Sequence, residues 1–215
     1  EICMNKYNKM CSGPYQDNAR PNCCNYPKAN NKKSHNSEGN NDPSNSTGPY
    51  IKSANYFMAD SNGETVISGR DYYLLNYYND ADYANPTQVS WWNANTGKYL
   101  GTQSRGENPY NTKFRFESYP GSTGSPISLE QQIFIYLPEV GQHAIDSGPL
   151  GVGVATRTGS TLEKWYPTFG NSGIFRYSFL NYGSREWLAS DGPGTWMYTY
   201  TSYESQRDFL IVPAN

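Results

Sequence analysis

From Tyr50 onward, β-branched and aromatic residues recur in stretches of three to eight, broken at short intervals by Gly, Asn, Pro and Ser. No stretch holds the three-and-four spacing of a long amphipathic helix, so the pattern predicts short strands joined by tight turns. The expected strands are 55–59, 65–67, 72–77, 88–92, 99–103, 113–117, 127–137, 143–146, 151–157, 164–169, 174–180, 187–190, 196–201 and 208–212. Asn93-Ala94-Asn95-Thr96-Gly97 reads as the loop of a hairpin, with Gly97 suited to a positive φ. Strands this dense, with turns this frequent, make an all-β barrel or sandwich.

One unit recurs three times. The first copy runs from Tyr72-Tyr73-Leu74-Leu75 to Lys113-Phe114-Arg115-Phe116, the second from Ile133-Phe134-Ile135-Tyr136-Leu137 to Glu163-Lys164-Trp165-Tyr166. The third runs from Ile174 to Arg207-Asp208-Phe209-Leu210-Ile211-Val212. Each opens on an aliphatic-aromatic strand and closes on a charged residue followed by an aromatic one. Three copies of four strands predict a β-trefoil, a closed barrel with a hairpin cap, and closure removes exposed sheet edges. A β-sandwich is the alternative.

The first 48 residues differ. They are polar, Asn-rich and without apolar period, and they hold all four cysteines, Cys3, Cys11, Cys23 and Cys24. The expected organisation is therefore an irregular extension, 1–48, ahead of a trefoil domain, 49–215. A local disulfide staple fits that clustering. Adjacent Cys23 and Cys24 would bridge each other only through a strained ring, so each pairs with Cys3 or Cys11, which leaves two connectivities. Zinc is the runner-up, but the C-x7-C-x11-CC spacing lacks the usual close pair. Disulfides imply an exported protein, and Asn45-Ser46-Thr47 is a glycosylation sequon at Asn45 that agrees with secretion from a eukaryote. The front of the chain shows no charged start followed by an apolar run, so a secreted protein is expected here in mature form.

Charge and composition narrow the partners. Charged residues make up 17% of the chain and the net charge is −2, with no basic stripe to neutralise phosphates, which argues against nucleic acid. No apolar run is long enough for a helical membrane span. Hydrophobic residues reach only 36%, yet the chain has 20 tyrosines, whose rings pack inward while their hydroxyls stay wet, so a core is still expected.

The stretch Asn62-Gly63-Glu64-Thr65-Val66-Ile67-Ser68-Gly69-Arg70-Asp71-Tyr72-Tyr73-Leu74-Leu75 resembles the opening of Kunitz-type soybean trypsin inhibitors. Downstream, Gln103-Ser104, Phe114-Arg115-Phe116-Glu117-Ser118, Pro126-Ile127-Ser128 and Phe209-Leu210-Ile211-Val212 follow in the same order. The resemblance covers Tyr50 to Asn215; the family's body cysteines are missing, and the N-terminal extension has no counterpart in it. It implies a trefoil and a protease partner met by the loop Ser118-Tyr119-Pro120-Gly121-Ser122-Thr123-Gly124-Ser125-Pro126. Within that loop Ser118, Tyr119, Pro120 and Ser122 would carry the contact. No Lys or Arg lies there for an acidic specificity pocket, and Tyr119 suits a chymotrypsin-like one.

Turnover chemistry is not expected. Histidine occurs only at His35, in the polar front, and at His143, at the start of an expected strand, where a structural hydrogen bond is the ordinary role. Gly121-Ser122-Thr123-Gly124-Ser125 has the wrong spacing for a nucleophile elbow. Asp80 with Asp82, or Glu163 with Glu130, are carboxylate pairs that nothing in the sequence sets face to face, and Asn79, Asp80 and Asp82 lack the pattern of a calcium loop. Gly148-Pro149-Leu150-Gly151-Val152-Gly153 lacks the helix and Lys of a phosphate loop. No metal and no cofactor are expected.

Binding remains. Besides a protease, a glycan is the second expected partner, through an aromatic platform that stacks on a pyranose with amide or carboxylate groups beside it. Platform candidates are Trp91 or Trp92, Trp165, and Trp187 or Trp196, with Asn93, Asn95, Asn181 and Asp191 nearby. Alternation along a strand sends Trp91 and Trp92 to opposite faces, so one of them lies at the surface. The Gln-x-Trp signature of ricin-type lectins is replaced by Lys-Phe, Lys-Trp and Asp-Phe. A third class, a storage, crystal-forming or toxin-associated protein, fits a Tyr- and Asn-rich surface able to make dense contacts.

Overall fold

A computed structural model of the chain describes residues 56–77, 86–104, 112–170, 175–201 and 208–214. By its backbone contacts the chain parts into Glu1–Lys52 and Ser53–Asn215, and every described residue belongs to the second unit. Cys3, Cys11, Cys23, Cys24, the sequon at Asn45, His35, Asp80, Asp82 and Ile174 lie outside the described residues.

Thirteen strands follow one another: β1 (Asp71–Tyr77), β2 (Thr87–Ala94), β3 (Gly97–Gln103), β4 (Phe114–Ser118), β5 (Ile133–Leu137), β6 (Gln142–Asp146), β7 (Val152–Ala155), β8 (Trp165–Phe169), β9 (Arg176–Asn181), β10 (Trp187–Ala189), β11 (Thr195–Trp196), β12 (Tyr198–Tyr200) and β13 (Asp208–Pro213). Six of them close a ring of antiparallel pairs, β1 to β4, β4 to β5, β5 to β8, β8 to β9, β9 to β13 and β13 back to β1. The hairpins β2–β3, β6–β7 and β10–β12 stand between successive barrel strands, and β3 ties the first to the other two through β7 and β11.

Register makes the threefold repeat explicit. Within the three repeats, first and fourth strands meet at Tyr72 and Phe114, at Ile133 and Trp165, and at Tyr177 and Phe209. Two residues further along, the same strands meet their neighbours from the adjoining repeat at Phe116 and Ile135, Pro167 and Phe179, and Ile211 and Leu74. The chain is thus a β-trefoil, as its repeats predict. The charged-aromatic dipeptides that close each repeat place Phe114, Trp165 and Phe209 at equivalent positions at or next to the start of β4, β8 and β13, each fully buried.

Alternation explains the packing. Along β4, Phe114, Phe116 and Ser118 point inward while Arg115 and Glu117 point out. Phe116 stacks on Phe179 at 5.6 Å between ring centroids, and Phe179 meets Phe209 at 5.5 Å. The hairpins add Val89, Leu100, Ala144, Val152, Val154, Leu188 and Met197 to the same core. At the other end of the barrel, two segments cross and close it with Met58, Val66 and Ile127, whose backbones bond to one another: Met58 N–H to Ile127 C=O at 2.8 Å and Ile127 N–H to Val66 C=O at 3.0 Å. Tyr72 and Tyr177 reach that plug from inside, their hydroxyls accepting from the amides of Ile67 and Ala59. Burial holds both phenols above their usual pKa.

Several expected strands are shorter than the pattern suggests: in 55–59 and 65–67 the described residues make only isolated bridges, Phe57 to Ser128, Ala59 to Thr65 and Ile67 to Pro126, and 151–157 is a strand only over Val152–Ala155. The run 127–137 is a strand only from Ile133, because Glu130 takes φ 61° in a turn that Gln131 braces by accepting from the amide and hydroxyl of Ser128. The run 196–201 is split at Met197, whose amide turns to Leu100 C=O and whose carbonyl accepts from Val152. The β2–β3 turn is tighter than expected, with Ala94 opposite Gly97 and Gly97 at φ 145°.

Candidate functional site

The first hairpin carries the best-formed aromatic surface. Trp91 lies opposite Leu100 and packs against the core, while its Nε1 donates to Glu139 Oε2 at 3.4 Å. Trp92 therefore faces the other way, opposite Tyr99, and stays partly exposed. Its ring lies over Gly101, where a Cβ would come within 2.4 Å of Cζ3. A side chain at that position would push the indole off the strand, so glycine here serves close approach. Trp196, paired with Gly101 across β11, meets Trp92 edge to face at 5.1 Å and Tyr99 at 5.9 Å. Asn93, Asn95 and Thr96 are exposed at the hairpin end, and the Thr96 hydroxyl shares a hydrogen bond with that of Tyr99. The result is an indole platform fixed by a second indole, while Asn93, the next residue of β2, takes the opposite face with Trp91.

The other expected sugar-site residues part company. Trp165 is 0% exposed and donates through Nε1 to Ala144 C=O at 3.0 Å, so it is a core residue and leaves the platform set. Asn181 is likewise spent on structure: Nδ2 donates to Leu162 C=O and Oδ1 accepts from the amides of Gly183 and Ser184. Trp187 is opposite Tyr200 on the third hairpin, where the exposed Asp191 accepts from the Tyr198 hydroxyl. Of the two tryptophans treated as interchangeable, Trp196 is the one that joins Trp92. Sequence reasoning passed over Gly101 and Tyr99, although a glycine inside a strand pattern is the ordinary sign of such an approach.

The expected inhibitory loop follows β4 and folds back on itself. Ser118 is buried, and its carbonyl accepts from the amides of both Gly121 and Ser122. The Ser68 hydroxyl donates to Ser122 C=O, Gly124 N–H donates to Ser68 C=O and Ser68 N–H to Ser125 C=O. Pro120 follows a cis peptide bond and is exposed, and Tyr119 is 47% exposed. Ser68 thus holds four backbone groups of this loop, the amides of Ser118 and Gly124 and the carbonyls of Ser122 and Ser125.

The residues weighed for catalysis have structural partners. His143 Nε2 is 3.2 Å from Glu117 Oε2, and its ring lies 4.8 Å from that of Tyr136. Glu163 is 0% exposed and accepts from the amide and hydroxyl of Thr158 and the amide of Gly159. Burial alone would raise its pKa, but those donors outweigh it and hold the carboxyl below the usual range. Glu130, its supposed partner, is an exposed turn residue. A groove of about 370 Å³ near the plug is lined by Asp60, Glu64, Arg70, Asp71 and Arg115. Within it Arg115 pairs with Asp71, and Asp60 Oδ1 accepts from the amides of Asn62 and Glu64. Among the described residues no group of three or more His, Cys, Asp or Glu is gathered for a metal, and no helix is long and apolar enough to cross a membrane.

Fold and surface together define the class, a β-trefoil domain with an aromatic platform on its hairpin cap. Solved structures similar to it include the water-soluble chlorophyll protein from Brassica oleracea var. Botrytis, at TM-score 0.56 and 13% identity, over 74% of this chain and 99% of that one. The SDF2-like protein from Arabidopsis thaliana has TM-score 0.51 and 12% identity, over 69% of this chain and 94% of that one. The Polyporus squamosus lectin, solved with a human-type influenza-binding epitope, has TM-score 0.50 and 13% identity over 67% of this chain and 49% of that one. At these identities the likeness is one of fold. No protein-family model matches the sequence, and comparison with curated proteins finds no match.

Proposed function

We propose that this chain is a secreted, non-enzymatic glycan-binding protein whose sugar stacks on Trp92. The observation that carries the reading is the Trp92 indole, partly exposed, laid over Gly101 and braced by Trp196, with the exposed Asn95 in the turn that follows β2. A pyranose presents an apolar C–H face to such a ring and hydroxyls to neighbouring amides. A ring already held in place loses little freedom on binding. The Polyporus squamosus lectin lends support as a glycan binder of similar fold.

Protease inhibition is the second reading, favoured by the exposed Tyr119 and by the resemblance to Kunitz-type inhibitors. It draws less from the geometry, because a loop that pairs with a protease needs an extended backbone with free amides and carbonyls. The amides of Ser118, Gly121, Ser122 and Gly124 and the carbonyls of Ser118 and Ser122 are bonded within the domain.

Binding of the full chain to a glycan array, run beside a protease panel, separates the two. Trp92→Ala and Trp196→Ala should each weaken glycan binding by about tenfold or more while thermal unfolding stays cooperative. A folded wild-type chain that binds no glycan, or folded variants that bind as well as wild type, would overturn the proposal.

A further inference from the structure

A second surface, on the outer wall of the barrel, gathers cations and tyrosines from three places in the sequence. Tyr119, after β4, lies beside the start of β5 through its amide bond to Gln132 C=O at 2.9 Å. Lys164, just before β8, lies beside Tyr182, just after β9, whose amide donates to Lys164 C=O at 2.8 Å. These side chains point outward because their neighbours Ile133, Trp165 and Asn181 point in. The Lys164 ammonium is 4.4 Å from the centroid of the Tyr119 ring and 5.9 Å from that of Tyr182. The Arg185 guanidinium is 5.8 Å from the same Tyr182 ring. Tyr166 stands edge-on to Tyr182 at 5.6 Å, its hydroxyl accepting from Gln132 Nε2 at 2.8 Å.

Among the described residues neither cation has an acid to answer it. The ion pairs among the described residues are Arg115 with Asp71, His143 with Glu117 and Arg157 with Glu163. The acids next in sequence are turned elsewhere, Glu163 into the Thr158 loop and Glu186 toward the Thr199 hydroxyl. Two cations held at tyrosine faces without a carboxylate form a receptor for one. Two positive groups on a chain of net charge −2 are too few for a polyanion such as nucleic acid. The tyrosine faces supply what a bare anion would not need, an apolar surface for a ring.

We propose that Tyr119, Lys164, Tyr182 and Arg185 form a second binding site, distinct from the Trp92 platform, that takes a carboxylated sugar such as a uronate or sialate. The carboxylate meets Lys164 and Arg185, and the sugar ring lies against the tyrosines.

Two matched pairs of probes test this on the full chain by calorimetry or biolayer interferometry: trigalacturonate with its methyl ester, and sialyllactose with lactose. The acidic member of at least one pair should bind about tenfold tighter than its neutral partner, and the advantage should shrink as salt is raised. Lys164→Ala with Arg185→Ala should abolish the advantage without lowering the melting temperature, and Lys164→Arg with Arg185→Lys should restore most of it. Trp92→Ala should leave it intact, which separates failure of this site from failure of the platform. Equal binding of acid and neutral members in both pairs would overturn the proposal. An acidic preference that survives in the double alanine variant would overturn it as well.

Discussion

Gly101→Ala tests the platform at its base. The added methyl carbon would come 2.4 Å from Trp92 Cζ3, 2.5 Å from Cε3 and 2.9 Å from Cη2, all far inside contact distance. The ring has to leave, because the methyl is fixed to a strand paired on both sides, with Ser90 and Trp196. Overpacking of this kind costs about 1–3 kcal/mol. Loss of the Trp92–Trp196 edge contact adds about 0.5–1.5 kcal/mol, and the better backbone propensity of Ala returns about 0.5–1 kcal/mol. Trp92 is partly exposed and has room to swing outward, which places the overpacking term at the low end, about 1 kcal/mol, and the net loss at about 0.5–2 kcal/mol. The cycle with Trp92→Ala isolates the cause. In that background there is no ring to strike, so Gly101→Ala should be neutral or slightly stabilising. Urea unfolding of the four proteins gives the energies, and the near-ultraviolet dichroism of the tryptophan pair reports whether the indoles have separated. Glycan binding should fall with Gly101→Ala as far as with Trp92→Ala. An equal cost of Gly101→Ala in both backgrounds would refute the argument that Gly101 exists to seat Trp92.

Two further changes probe the core and the loop before β8. Trp165→Ala empties a fully buried site and leaves Ala144 C=O without its donor, so denaturant unfolding should show a loss of about 3–5 kcal/mol; a loss under about 1 kcal/mol would mean that Trp165 is not the core member of its repeat. Glu163 has its pKa lowered on folding, so its contribution is present above the unfolded carboxyl pKa and is lost as pH falls through the folded value. Glu163→Gln should therefore flatten the acid limb of the stability curve and, at neutral pH, cost about 2 kcal/mol by weakening bonds to Thr158 and Gly159. An unchanged acid limb would show that other carboxylates govern it.

The strands and their threefold recurrence were legible in the sequence because each depends on local pattern. Alternation selects a strand, Gly and Asn select its turns, and the three charged-aromatic dipeptides stand at equivalent positions in the ring as they do along the chain. Alternation also required Trp91 and Trp92 to face apart. Which of them faces out was decided by tertiary structure, since only the closed barrel gives Trp91 and Leu100 a common interior. Trp165 shows the same limit: its letters suit a platform or a core, and its position opposite Ile133 inside the ring makes it core. The Ser118–Pro126 loop reads as a free flexible turn because Gly and Ser dominate it, yet Ser68, from a segment fifty residues earlier, occupies its amides and carbonyls. Local sequence carries no record of such a partner. Trp92 with Trp196, and Lys164 with Tyr119, are likewise pairs made by segments far apart in the chain. Periodicity fixes which face a residue takes, and only closure of the barrel fixes what shares that face.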